Sequence, residues 1–332
     1  MTCVTRTRTP LTRALGALVA LGGLLAAGAT LAAGYPDKPI TVINPWTSGG
    51  PADTVARPVL QKLSERLGQP IIMENKSGAN GVIGCAFVAR AAPDGYTLLF
   101  SHVGPITISP AVQKDMPYDS VRDFKPITQI VSAPTVLLVR PSLPIHNLKE
   151  LVDYARANPG KLSYGSVGQG STTHLAGEIL STMANIKLLH VPYKGAAPVV
   201  NDMLGGSIDM SFLNIAGAIS YVKSGQLRAI GVTTLKRSPL LPDLPTISEA
   251  YPGFEVNSWY GLMAPAKTPD DIVDMLQKQV AEIIRSPDIV ELFSRNGLTP
   301  EGTTPVQYAE QIKTDLARWR NVVQTSGLVI EQ

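Results

Sequence analysis

Cysteine is almost missing from this chain of 332 residues, which has two, Cys3 and Cys85. Cys3 falls in a leader segment, so the remainder keeps only Cys85 and no intramolecular disulfide can form, even in an oxidising compartment. Cys85 sits in the apolar run Gly84-Cys85-Ala86-Phe87-Val88 and reads as a small packed residue, since a redox role needs a partner thiol. Net charge is also scarce. Arg6, Arg8 and Arg13 account for the formal charge of +3, and without them 26 basic residues face 26 acidic ones. A chain with no net charge has no general attraction for nucleic acid or anionic membrane, so neither is an expected partner. Nucleotide motifs are absent too. There is no Gly-x-x-x-x-Gly-Lys-Ser/Thr, and Gly165, Gly168 and Gly170 stand in the wrong order for Gly-x-Gly-x-x-Gly.

With only four histidines, His174 and Glu178 have no further His cluster to complete a metal site, so their four-residue spacing reads as an ordinary surface or capping pair. The neighbours Ser171 and His174 do not make a hydrolase. Gly-x-Ser-x-Gly is missing, and residues three apart at a helix start do not aim a nucleophile at its base. No cofactor is expected and no residue is assigned a catalytic role.

What is present begins with the leader. Arg-bearing residues 1–13 precede an uncharged run from Ala14 to Ala33, rich in Leu, Ala and Gly and ending in small residues. Its length approaches the ~20 residues of a membrane span, but its composition and small-residue end read as a secretory signal peptide. Cleavage after Ala29 and after Ala32 both fit. Cys3 precedes the apolar run, so there is no lipoprotein signal. The expected destination is the periplasm, and the remaining length suffices for two domains, each with its own core.

From Pro39 onward short apolar strands alternate with helical periods, the pattern of an α/β fold around a largely parallel sheet. Strands are expected at 40–46, 70–74, 96–100, 126–131, 135–139, 162–165, 187–191, 208–212, 227–233 and 254–264. Pro51 to Leu67 reads as a helix, with Val55, Val59, Leu63 and Leu67 on one face, Gly68 as its stop and Pro58 as a kink or a short first turn. Asn147 with Glu150 predicts a capped helix start, and helices follow at 269–285, 287–296 and 305–323.

Two turns between a strand and a helix carry the functional signal, Asn44 to Asp53 and Tyr164 to His174. Open α/β sheets bind ligands beyond the carboxyl ends of their strands, where unpaired N–H groups and the positive end of a helix meet. Glycines allow close approach and Ser and Thr add donors, so each turn suits a carboxylate or phosphate without Lys or Arg. The candidate ligand-binding residues are Trp46, Thr47, Ser48, Gly49 and Asp53 in the first turn, and Ser166, Gly168, Gly170, Ser171, Thr172 and Thr173 in the second. Ser101 and His102 after a strand, Asn214 after another and Trp259 on a long apolar run join them as candidate cleft residues. Lys194 is either a ligand cation or a solvated charge.

An ordered set of segments resembles the periplasmic solute-binding receptors of tripartite tricarboxylate transporters, the Bug receptors. They include Tyr35-Pro36-Asp37-Lys38-Pro39-Ile40, Gly49-Gly50-Pro51-Ala52-Asp53, Glu74-Asn75-Lys76-Ser77-Gly78-Ala79, Pro93-Asp94-Gly95-Tyr96-Thr97-Leu98 and Pro117-Tyr118-Asp119. Further on are Thr172-Thr173-His174-Leu175-Ala176-Gly177-Glu178, Val191-Pro192-Tyr193-Lys194-Gly195, Leu240-Leu241-Pro242-Asp243-Leu244-Pro245-Thr246 and Ala264-Pro265-Ala266-Lys267-Thr268-Pro269. The resemblance implies a type II periplasmic binding protein, with two α/β domains joined by two crossover strands and a ligand cleft between them.

On that pattern residues 34–131 plus 256–332 form domain 1 and 132–255 form domain 2, after a signal peptide over 1–33. It implies a monomeric receptor that closes on a small organic acid, most simply an aliphatic or aromatic dicarboxylate, and delivers it to a membrane permease. A ligand-presenting sensory subunit for a membrane kinase and an exported enzyme on the same fold are the alternatives. This chain departs from the resemblance at Trp46-Thr47-Ser48, where small or proline residues usually follow the aromatic. Trp46 is then either a neutral turn residue or a flat wall for a larger or aromatic acid.

Overall fold

The computed structural model describes Thr2, residues 34–193 and residues 195–326. The leader expected over 1–33, Thr2 aside, and Lys194 lie outside the described residues. By its contacts the chain divides after Asp37, and the fold below is that of Lys38 onward.

The chain opens with β1 (Ile40–Asn44), α1 (Pro51–Leu67), β2 (Ile71–Asn75), α2 (Val82–Ala89), β3 (Thr97–His102) and, after a π-helical turn at Gly104–Ile108, the short α3 (Ser109–Val112). The long strand β4 (Phe124–Val139) follows. A second series consists of α4 (Leu148–Ala157), β5 (Ser163–Ser166), α5 (Thr172–Ala184), β6 (Leu189–Pro192), α6 (Ala196–Gly205), β7 (Met210–Asn214), α7 (Ile215–Lys223), β8 (Arg228–Val232) and α8 (Ile247–Ala250). The chain then returns through β9 (Asn257–Pro265) and closes with α9 (Asp270–Ile284), α10 (Pro287–Arg295), β10 (Thr299–Pro300) and α11 (Pro305–Ser326).

The strands run in the order β2-β1-β3-β9-β4-β7-β5-β6, with β8 and β10 also paired to β4. β1, β2 and β3 are mutually parallel, as are β5, β6 and β7, while β9 and β4 run antiparallel to their neighbours. β4 serves both series. Phe124 to Pro134 pair with β9, and Thr135 to Val139 pair with β7 and β8. The sequence led us to expect two strands at 126–131 and 135–139, and they form one. Residues 132–134 look like a break because they carry Ser, Ala and Pro, yet Ser132, Ala133 and Pro134 still face Trp259, Ser258 and Asn257.

Apolar periodicity explains the layers. α1 buries Val55, Val59 and Leu63 completely or nearly so, each worth ~1.5–3 kcal/mol relative to exposure. It starts with Pro at its first turn and ends at Gly68 in a left-handed conformation, φ +66. Helix runs on through Pro58. In the second half of β4, Leu137 and Val139 enter one apolar cluster while Val136 and Leu138 enter another. Both faces of β4 are therefore covered by apolar packing. Cys85 is fully buried, and burial pushes its thiol up to about 12. It is therefore a neutral packed residue.

Candidate functional site

The sheet register gathers strand ends at one stretch of β4. β1 and β3 run parallel and end at Asn44 and His102, and His102 lies opposite Tyr260, which in turn lies opposite Val131. β5 and β7 also run parallel and end at Ser166 and Asn214, and Asn214 lies opposite Thr135. Carboxyl ends from both series therefore meet β4 between Val131 and Thr135, the kind of place where open α/β sheets bind ligands.

The first loop is organised by Asp53. Its carboxylate is 7% exposed and accepts bonds from Asn44 Nδ2 at 2.9 Å, the Gly49 N–H at 2.9 Å, the Ser48 hydroxyl at 3.2 Å and the Arg57 guanidinium at 2.9 and 3.1 Å. Burial alone would raise its pKa. The Gly49 N–H, Arg57 and Ser48 outweigh that and hold it below the ordinary value. Gly49 turns at φ +84, a left-handed conformation that favours glycine. Thr47, Ser48 and Gly49 are exposed on this scaffold. Both oxygens of Asp53 are therefore bonded to the loop and to Arg57, and its carboxylate braces the loop.

Trp46 is fixed at its backbone, where its N–H donates to Asn44 Oδ1 and its carbonyl accepts from Asn75 Nδ2. Its indole meets the His102 ring edge-on, with centroids 5.3 Å apart, and its buried Nε1 has no partner among the described residues. His102 is buried and occupied at both nitrogens. The Gly104 N–H donates to Nδ1 at 3.1 Å, which assigns the proton to Nε2 for donation to Ser258 Oγ at 2.8 Å. Burial lowers its pKa to about 3. The imidazole is therefore a neutral wall beside Trp46 and the Tyr260 ring.

The second loop is a closed hydrogen-bond circuit at the start of α5. The Val167 N–H donates to Thr173 Oγ1 at 3.0 Å, the Thr173 and Ser171 hydroxyls are 3.0 Å apart, and Ser171 Oγ donates to the Gly168 carbonyl at 2.6 Å. Ser171 also caps α5 by accepting from the His174 N–H at 3.3 Å. Ser166 Oγ bonds both the N–H and the carbonyl of Gly168. The hydroxyls of Ser171 and Thr173, expected as ligand donors, are bonded within the loop: Ser171 donates to the Gly168 carbonyl, and Thr173 accepts from the Val167 N–H and lies against Ser171 Oγ. Among the described residues, the N–H groups of Thr172 and Thr173 have no acceptor, and neither has that of Ala52 at the start of α1.

Two candidate residues lie on the other side of the sheet. Strand alternation turns Ser101 away from His102, and its hydroxyl bonds the Tyr308 hydroxyl on α11 at 2.8 Å. Trp259 likewise points away from Ser258. It is 1% exposed, donates its indole N–H to Asp315 Oδ2 at 2.8 Å and packs edge-on against Tyr308. Asn214 stands at the end of β7 opposite Thr135, whose buried hydroxyl has no partner among the described residues. Of the surface or capping pair expected at His174 and Glu178, the surface reading fails, because His174 is buried, while its Nδ1 accepts from the Gly170 N–H just ahead of α5.

The structure adds residues that the sequence reading passed over. Arg57 reaches the first loop from one helical turn away, and the signal was its spacing of four from Asp53. Ser258 and Tyr260 reach His102 only because β9 returns beside β3, and His190 reaches Ser166 because β6 pairs with β5. No hydrogen bond joins the two loops among the described residues.

Two α/β series sharing crossover strands, with helix starts from both directed at the shared stretch, define a two-domain periplasmic binding protein of type II architecture. The description "Tripartite tricarboxylate transporter family receptor" matches residues 55–328, and the chain belongs to this family. It is 38% identical over 87% of its length to a protein from the tcbD-tcbE intergenic region of Pseudomonas sp. strain P51, covering 86% of that protein. BugT of Bordetella pertussis is 34% identical over 88% of this chain and 90% of its own. Among solved structures, Rpa4515 of R. palustris with adipate superposes with a TM-score of 0.81 at 36% identity, covering 89% of this chain and 99% of that one. The periplasmic binding protein BugD gives 0.79 at 36% identity, over 90% and 100%. MatC of Rhodopseudomonas palustris with bound malate gives 0.77 at 32%, over 87% and 100%.

Proposed function

We propose that this receptor captures a small organic dicarboxylate, aliphatic or aromatic, between the loop at 46–53 and the loop at 168–173, and hands it to a tripartite tricarboxylate-type membrane permease. In this reading the leader through residue 33 is removed on export and the chain works in the periplasm as a monomer. Residues 34–131 with 256–332 form one lobe, 132–255 form the other, and the lobes close over the ligand about β4 and the segment entering β9. No covalent bond of the ligand is made or broken.

The observation that carries the reading is the pair of helix starts. Each leaves backbone N–H groups without a protein acceptor, at Ala52 and at Thr172 and Thr173, while the polar side chains around them bond one another. Such a site binds an anion through fixed dipoles, and water exclusion on closure strengthens those contacts. Relatives solved with adipate and malate, both dicarboxylates, support the ligand class. The indole of Trp46 against His102 supplies a flat wall for a larger or aromatic acid.

Thermal-shift and calorimetric titration of the processed chain against aliphatic, hydroxy and aromatic mono- and dicarboxylates tests this reading. A ligand at about 100 times its Kd adds ~2.7 kcal/mol of stability, and mass spectrometry should recover it unchanged after prolonged incubation. If only neutral sugars or cations raised the melting temperature, the reading would be wrong.

A further inference from the structure

Beneath the second loop lies a pair of imidazoles that hydrogen-bond the loop itself. His174 on α5 and His190 on β6 stack face to face, with ring centroids 4.0 Å apart and planes at 22°. Each holds a different point of the loop. The Gly170 N–H donates to His174 Nδ1 at 3.1 Å, and His190 Nε2 lies 2.7 Å from Ser166 Oγ, the hydroxyl that bonds Gly168. Gly170 turns at φ +73 and Gly168 at φ +135, both in the left-handed region, so the loop's direction depends on what fixes these two glycines. We propose that His174 and His190 act as one positioning unit that sets the anion-binding geometry of the second loop, a role that rests on the carboxylate reading above.

The surroundings explain why two neutral rings suit the task. His174 is 3% exposed, and burial holds both imidazoles low, at about 4. The groups around them are the Tyr164 phenol, 4.9 Å from the His190 ring between centroids, and the Glu178 carboxylate, 3.8 Å from His174 Nε2 and bonded by the Tyr164 hydroxyl at 2.6 Å. With Gly170 donating to Nδ1, the His174 proton sits on Nε2, and that ring serves the loop as an acceptor. A side chain that lacked an acceptor at this spot would leave the Gly170 N–H unsatisfied and free to swing. Stacking couples the rings, so a shift of one is transmitted to the anchor made by the other.

A reciprocal exchange of amides tests the unit. Asparagine places its amide oxygen where histidine has Nδ1, so it can accept from the Gly170 N–H, and glutamine places its amide nitrogen where histidine has Nε2, so it can donate to Ser166 Oγ, whose own proton goes to the Gly168 carbonyl. His174→Asn and His190→Gln should therefore keep the loop, whereas His174→Gln and His190→Asn should lose it, although the residue types are the same. Adipate and malate serve as probes by calorimetry, and amide exchange of Gly170 is followed in the ligand-free chain. The expected result is binding within about threefold of the parent for the first pair and a loss of about tenfold or more for the second, the scale of one hydrogen bond to an ion. Gly170 exchange should accelerate about tenfold in His174→Gln but not in His174→Asn.

Equal behaviour of Asn and Gln at each position, or unchanged Gly170 exchange in His174→Gln, would overturn the proposal. Melting curves identify any variant that does not fold, in which case the exchange comparison at the other histidine, read at Gly168, decides. Should the parent bind neither probe, the carboxylate reading is in difficulty for these acids, and the Gly170 exchange pattern still decides whether the imidazoles position the loop.

Discussion

In the proposed function Asp53 lies beside the bound anion, where a bare carboxylate would oppose a carboxylate ligand. Arg57 answers that charge with two nitrogens, and its own side chain is 57% exposed. Arg57→Gln should therefore weaken dicarboxylate binding several-fold, more at low ionic strength than at high, while changing the melting temperature little. Titrations at about 20 and 200 mM salt check this, and equal losses at both would point to packing in place of charge. Three histidines, His102 and His174 buried and His190 half-buried, make a second prediction. His102, His174 and His190 have pKa values lowered by burial to about 3, 4 and 4, so between the ordinary value of 6.5 and these folded values the unfolded chain binds more protons. Stability rises with pH across that window and is lost as pH falls from about 6.5 toward 4. Melting curves through this range should decline steadily, and the decline should be shallower in His174→Asn, which removes one titrating ring.

Among the elements, the helix starts were the most legible in sequence. Pro51, Gly68 and the four-residue apolar spacing marked α1, and Asn147 with Glu150 marked α4, where the Asn147 side chain accepts the Glu150 N–H as expected. Less legible were α6, whose N-cap is Gly195 with no acid in its first turn, and the continuity of β4 through Ser132 to Pro134, which depends on a partner strand more than a hundred residues away. The site divides the same way. A Gly- and hydroxyl-rich turn before a helix is local and was readable. The direction of each hydroxyl, and the face on which Ser101 or Trp259 falls, depends on Tyr308 and Asp315 from the last helix. Ser171 illustrates the difference, because its hydroxyl is a cap and a loop brace. Ser171→Ala should cost ~1 kcal/mol of stability, or roughly 1–2 °C in melting temperature for a chain of this size, together with weaker binding through a looser loop. A variant that lost affinity at full thermal stability would show that the hydroxyl touches ligand directly.

At the scale of the whole molecule, the closure proposed above would need a flexible joint that still holds its register, and Thr233 is placed to provide one. Its N–H and hydroxyl both reach the Thr135 carbonyl, at 3.0 and 3.1 Å, and its hydroxyl also reaches the Val256 carbonyl, while the Val256 N–H returns to the Thr233 carbonyl at 2.9 Å. One residue just beyond β8 thus ties β4, where it passes from one series to the other, to the segment entering β9. Thr233→Val keeps the shape and the backbone bonds but removes the hydroxyl, leaving the buried Val256 carbonyl without that donor. Stability should fall by ~1–2 kcal/mol. If the two tied segments are the joint, ligand affinity should change as well, although Thr233 touches neither loop, because a ligand shifts the closing equilibrium only by the difference in its affinity for the two states. Calorimetry paired with a fluorescence distance between labels on the two lobes separates the cases. Altered affinity with an altered ligand-free distance supports the joint, whereas lower stability with affinity and distance both unchanged would make Thr233 a structural clasp only.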